Sequence, residues 1–490
     1  MAPLLTVVSQ AAQSAGHATP ACRSYVAERG FFCASENYAY LCSPKSDRTM
    51  ERDKLDFGNG KISRLFRAMF FPTLVGMLFN SLLNLCDGMF VGHGVGSNAL
   101  AAINIVAPLF LVCTGTGLMF GIGASVIGSI RLSEGNVKSA RIIMTQAYIV
   151  GTVIFGGVIA LSLVFTKPVL WLLGCSQVLE PLATDYLLWL LPGLMFLYLQ
   201  CVGMMLIRLD GAPKFAMAIQ IVAALLNIFL DWLMVYPMDM GIKGASMATS
   251  ISCIVGGLMV LGYFLFFAKT LRFYRLRMSV KSMLLTLRNT VYMMKIGMAT
   301  LIAELAIGVM MVAGNYVFMR ALGESGVAAF SVGCYLFPLI FSISNAVAQA
   351  AQPIISYNYG AGHHQRVSQA KRVAVIAGAI CGAVITVAMW IGAPLLTGIF
   401  LESSEPAYLL AVGGLPLLGL CAIFFALNIT FIGYYQSCER SLRSILFMLL
   451  RGIIFVVPGF FLLPQLLGTA GLWLAIPVSE FLTLLAIAIF

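Results

Sequence analysis

Along its length the chain alternates long apolar stretches with short polar joints. The stretches fall near 68–92, 99–130, 142–166, 182–207, 215–238 and 244–268, then near 291–319, 326–357, 373–400, 408–434, 444–463 and 470–490. A bilayer core takes about 20 apolar residues per helix. Each stretch therefore predicts one membrane span, and the set predicts an all-α integral membrane protein with twelve transmembrane helices.

The polar joints carry a second pattern. Lys54, Lys61, Arg64 and Arg67 precede the first span, and Arg131, Lys138 and Arg141 follow the second. Arg208 and Lys214 follow the fourth, and the central joint holds Lys269, Arg272, Arg275, Arg277, Lys281, Arg288 and Lys295. Arg366, Lys371 and Arg372 follow the eighth, and Arg440 and Arg443 the tenth. The intervening joints show only Lys167, Lys243 and Arg320. The excess of basic residues on cytoplasmic loops predicts a multi-pass protein of the cell (inner) membrane with both termini and the central joint in the cytoplasm.

Composition agrees. Of 490 residues, 60% are hydrophobic and 10% charged, against roughly 25% charged in soluble chains. That excludes a cytosolic enzyme and a disordered chain. The net charge of +11 sits in loops and reads as topology, so no nucleic-acid partner is expected. The twelve cysteines include no CxxC pair, and most lie in apolar runs, as do Cys113, Cys201, Cys253 and Cys381. They read as small hydrophobic residues. Residues 1–49 have no long apolar run, and Met50 opens an ordinary lead-in, MERDKLDFGNGKISRLFRAMF. Residues 1–60 are thus expected to hold a disordered or mis-called N-terminal segment and that lead-in. Cys22, Cys33, Cys42 and His17 carry little weight as a metal site.

The two halves are related by a shift of 227 residues. GSNALAAI (96–103) falls on GESGVAAF (323–330), SEGN (133–136) on GAGH (360–363), and GIKGASMA (241–248) on GTAGLWLA (468–475). Six spans return a chain to its starting side, so the repeats are parallel. They predict two six-helix bundles, an N-lobe over 61–268 and a C-lobe over 291–490, joined by a cytoplasmic linker over 269–290. Two bundles facing a central cavity form a frequent transporter plan.

Ionisable residues inside a membrane are costly and mark a site or a partner. Three fall centrally in their predicted spans: Asp87, Asp231 and Glu304. Asn227 and Asp231 are four apart and share a helix face, and Thr249 on the next span offers a hydroxyl. The counterparts of Asn227 and Asp231 under the repeat are Ile454 and Pro458, so function is expected to be asymmetric. No basic residue lies mid-span in helices 1, 5 or 6. An unpaired carboxylate there binds a cation or takes up a proton, because the charged form is the one that loses its hydration. Asp87, Asn227, Asp231 and Thr249 are the candidate H⁺ or Na⁺ site. Glu304, Gln200 and Gln349 rank second, the glutamines as cavity lining or as interhelical hydrogen bonds. Asp210 reads as turn chemistry, and Glu480 as near an interface.

Taken together, NLCDGMFVGHGVGSNALAAI, NIFLDWLMV followed by GIKGASMATSI, and QAAQPIISYNYGAGHHQRVSQA resemble the MATE (multidrug and toxic compound extrusion) family over about residues 60–490. The resemblance implies a twelve-helix, two-lobe antiporter that expels cationic drugs or metabolites in exchange for H⁺ or Na⁺, without a cofactor. The match looks closer to the DinF-like and related prokaryotic branches. Their site, a helix 1 Asp, a helix 5 Asn-x-x-x-Asp and a helix 6 Thr, falls on Asp87, Asn227, Asp231 and Thr249. The NorM-like helix 10 Asp has no counterpart, since 408–434 contain no acid. A monomer in the bilayer with a small organic cation as substrate is expected. The alternatives are a flippase for lipid-linked precursors, which rests on Arg451 as a cavity cation, and a membrane-embedded enzyme, for which no nucleophile–base pair or metal motif is present.

Overall fold

Every regular element in the computed structural model is helical, over the described residues 55–490 apart from 277 and 278. The cysteines and histidine before residue 50 singled out above lie outside them. Among the described residues eleven apolar helical stretches are long enough to cross a membrane. One, Val280–Gly360, has 81 residues and breaks at Gly323, where φ is 66° and ψ −154°. Unbroken it would run about 120 Å at 1.5 Å per residue, four times a bilayer core, so it is two spans.

The twelve helices are α1 (Ile62–Gly94), α2 (Ser97–Ser133), α3 (Val137–Val164), α4 (Glu180–Leu209), α5 (Pro213–Val235) and α6 (Gly241–Gly262), then α7 (280–322), α8 (324–360), α9 (His364–Ile391), α10 (Pro406–Ser437), α11 (Ser441–Leu467) and α12 (Thr469–Ile489). All twelve match predicted stretches, with ends that differ by several residues in either direction: α1 begins six residues earlier than its run, and α6 ends six residues sooner.

The repeat is visible in the backbone. Gly96 and Gly323 turn α1 into α2 and α7 into α8; Gly135 and Gly362 follow α2 and α8; Gly241 and Gly468 open α6 and α12. All six have positive φ, where a side chain is strained and glycine is not. The members of each pair are 227 residues apart, so the joints persist where the side chains have diverged.

Two large apolar clusters form. One is built from the first half and the beginning of α7, up to Ile296. The other spans Ala299 to Ile487. A third joins Phe66, Met69 and Phe70 of α1 to Ala346, Val347 and Ala350 of α8. The opening helix of each half thus leans on the other half: α1 on α8, and α7 on α2. The second contact is tight, since a Cβ added at Gly297 would lie 2.0 Å from the Met119 carbonyl oxygen.

The polar contacts between the halves gather from mid-depth to the face that carries the connection between α6 and α7, here the linker face. Ser81 and Ser342 hydroxyls meet at 2.7 Å. Gln352 donates to Ser125 at 3.1 Å, and Ser129 to the Pro353 carbonyl at 3.3 Å. Beyond the end of α8, Arg366 donates to the Phe57 and Gly60 carbonyls, and the buried Asn358 also to Phe57.

Asp210 does more than turn the chain. It is buried, and its carboxylate accepts from the Tyr263 hydroxyl at 2.8 Å and from the backbone N–H groups of Lys269, Thr270 and Leu271. Arg141 donates to the Thr270 carbonyl, and the Tyr274 N–H to Thr145. The start of the linker is therefore stitched to the first half.

Candidate functional site

α1, α5 and α6 bring the four first-rank residues together. Asn227 and Asp231, one turn apart on α5, are both fully buried, and Thr249 of α6 is 9% exposed. The Asn227 amide lies between them. With its nitrogen toward the acid it donates to Asp231 Oδ2 at 3.0 Å, while its oxygen accepts from the Thr249 N–H at 3.3 Å. Asp87 is partly buried and lies within electrostatic reach of Asp231. One carboxylate oxygen of each, Oδ1, is buried without a partner. Among the described residues neither acid has a cationic partner. Tyr186 of α4 and Cys86 stand within range of both.

The site is less central than the sequence implied. Asp87 lies seven residues before the end of α1, and Asp231 four before the end of α5. Both are in the third of the helix away from the linker face. Two carboxylates in apolar surroundings repel, and they coexist when a proton or a cation neutralises the pair. Four side chains with hard oxygen atoms suit Na⁺ as well as H⁺.

The second-rank residues lie elsewhere. Glu304 is buried at mid-height of α7, beside Thr114 and Gly115 of α2. Gln200 packs over Gly256 of α6, whose missing side chain makes room for it. Gln349 of α8 accepts from Arg208 at the end of α4, an interhelical bond across the halves. Nine cysteines among the described residues are free thiols, including Cys113, Cys201, Cys253 and Cys381.

In the second half the chain differs from expectation. Glu480 is not at an interface: it is 2% exposed and bound by Arg451, Nη2 to Oε1 at 2.6 Å and Nε at 3.0 Å. Asn428 donates to the same carboxylate at 2.7 Å, and the guanidinium lies 4.1 Å from the Phe425 ring centre. Sequence reading missed this pair because Arg451 and Glu480 sit on different helices, one of them in the π turn Leu450–Ile454 of α11.

A family model described as MatE matches residues 72–233 and 279–462. The FAD transporter of Shewanella oneidensis is 26% identical over 437 residues, 88% of this chain and 94% of that protein. The multidrug export protein MepA of Staphylococcus saprophyticus is 24% identical over 417 residues, 85% of this chain and 90% of that protein. Among solved structures, a multidrug resistance MATE family transporter of the MOP superfamily, in an outward-facing conformation, superposes with a TM-score of 0.80 at 21% identity, covering 87% of this chain and 94% of that one. A MOP superfamily transporter from Pyrococcus furiosus gives 0.79 at 21% identity, with 88% and 95% covered. These two share the fold.

Proposed function

The chain belongs to the MatE family, whose members are membrane transporters and not enzymes, and we propose that it exports small organic molecules, cations among them, in exchange for H⁺ or Na⁺. One observation carries the coupling: Asp231 is fully buried, one of its oxygens has no partner, and Asp87 is close enough to repel it. Neutralising the pair changes the packing of α1 against α5 and α6. An ion bound in one state and a substrate bound in the other exchange across the membrane, because each shifts the equilibrium toward the state it prefers.

Relatives named for multidrug export and for FAD transport support an organic substrate. The pattern of basic loops supports a cell-membrane protein with the linker face in the cytoplasm. The contacts gathered on that face support two lobes, 61–268 and 291–490, that part there in the opposite state. We assign the DinF-like site to Asp87, Asn227, Asp231 and Thr249, and treat the protein as a monomer. The flippase reading loses its support: Arg451 is already neutralised by Glu480.

Ethidium efflux from proteoliposomes tests this. An imposed pH gradient and an imposed Na⁺ gradient are applied separately, with Asp231→Asn and Asp87→Asn as controls. Efflux driven by one gradient and lost in both variants is expected. Full transport in both variants would remove the site assignment.

A further inference from the structure

Among the described residues Arg208 is a buried cation without an anion. It ends α4 on the linker face and is 2% exposed. Taking a guanidinium out of water costs several kcal/mol unless a carboxylate repays it, and among the described residues none does. Its Nη1 donates to the Gln349 side-chain oxygen and lies 3.6 Å from Met205 Sδ, and its Nε is buried without a partner. The nearest acid along the chain, Asp210, is occupied by Tyr263 and three backbone N–H groups. Arg451 shows the contrast, with its carboxylate in place.

The position of this arginine gives the reason. Gln349 belongs to the second half, and one turn along α8 Gln352 bonds to Ser125, with Ser129 on the Pro353 carbonyl beside it. These are the contacts that close the linker face. When the halves part there, Gln349 withdraws, and the guanidinium stands with its fork of donors at the mouth of the opening cleft. A planar fork matches a carboxylate or phosphate in two parallel hydrogen bonds. In the closed state the neutral amide oxygen of Gln349 takes the place of that acceptor.

We propose that Arg208 is the docking residue for an acidic group, carboxylate or phosphate, on molecules entering from the linker face. The carrier then accepts organic anions and zwitterions besides cations. The inference rests on the export reading, since it assumes that the linker face opens to substrate.

The test is equilibrium binding to purified protein, read by fluorescence, with matched probes. One pair is riboflavin and riboflavin phosphate; the other is a rhodamine methyl ester and its free acid. The wild type should bind the acidic member of at least one pair about tenfold tighter or more, the worth of a charge-assisted bond; which pair does so tells phosphate from carboxylate. Arg208→Gln should bring that ratio to about one, and Arg208→Lys, which keeps charge and loses the fork, should fall between. Gln349→Ala frees the guanidinium and should raise affinity for the acid. A wild type indifferent to both acids, or a ratio unchanged in Arg208→Gln, overturns the proposal. Should Arg208→Gln fail to fold, Gln349→Ala decides: unchanged affinity for the acid overturns it. No gradient is applied, so failure here is distinct from failure of coupled ethidium efflux.

Discussion

Ser125 and Gln352 stand at equivalent positions of the two halves, 227 residues apart, and hydrogen-bond to each other at 3.1 Å. A contact between equivalent residues lies on the axis that relates the halves. An axis pair on the linker face must separate whenever that face opens. Cysteines at both positions, joined by a short thiol cross-linker, are expected to stop transport, with recovery on adding reductant. Undiminished transport by the cross-linked protein would show that the linker face does not open.

The oxygen cluster predicts a graded series. Thr249→Val removes one hydroxyl and leaves both carboxylates, so gradient-driven efflux should fall by about tenfold, the worth of one hydrogen bond. Asp231→Asn should abolish it. Equal losses in the two variants would argue against distinct roles for the acid and the hydroxyl.

The buried Arg451–Glu480 pair predicts a stability pattern. Arg451→Leu leaves an uncompensated carboxylate and should cost about 3–5 kcal/mol, whereas Arg451→Met combined with Glu480→Leu should recover most of that. Thermal unfolding in detergent distinguishes the two. A double variant no more stable than the single one contradicts this account.

The approach of α2 to α7 predicts a steric effect. A Cβ at Gly297 would lie 2.0 Å from the Met119 carbonyl oxygen, and one at Gly123 would lie 2.2 Å from that of Met293. Gly297→Ala forces two backbones apart and should destabilise by about 1–3 kcal/mol. Gly157→Ala, with nothing within 4 Å, should leave the melting temperature unchanged.

Asp56 gives a pH dependence outside the membrane. Burial raises its carboxyl, but bonds from the Asn59 side chain and the Asn59 and Gly58 backbones, with the charge of Arg366, outweigh burial and hold it below the ordinary value of 3.8. A depressed acid stabilises the fold above its unfolded pKa and loses that contribution as pH falls through the lower folded value. Asp56→Asn should flatten the acid limb of stability below about pH 4. An unchanged limb would assign it to other groups.

Hydropathy and alternating basic loops made the twelve spans legible, because lipid permits few backbone forms and each span must satisfy its own hydrogen bonds. The glycine register revealed the repeat, since a positive φ restricts residue type wherever the chain turns. Asn227 and Asp231 were legible as a pair because one helix carries both. Arg451 with Glu480, and Arg208 with Gln349, were not: each joins residues 29 and 141 positions apart, respectively, and no local spacing encodes which helices touch. Asp231 stands nearer the helix end than expected because α5 stops at Val235, three residues before its apolar run does, whereas Asp87 is off-centre already in the run 68–92, five residues from its end.

The stitching of the linker to the first half sets a leash. The chain is held to α3 as far as Tyr274, and α7 begins at Val280. Five residues, 275–279, lie between, so six Cα–Cα steps separate the two anchors, and fully extended they reach about 21 Å. However the halves swing, the base of α7 cannot travel farther than that tether from the α3 surface. Inserting residues into it would lengthen the permitted swing without touching either ion or substrate.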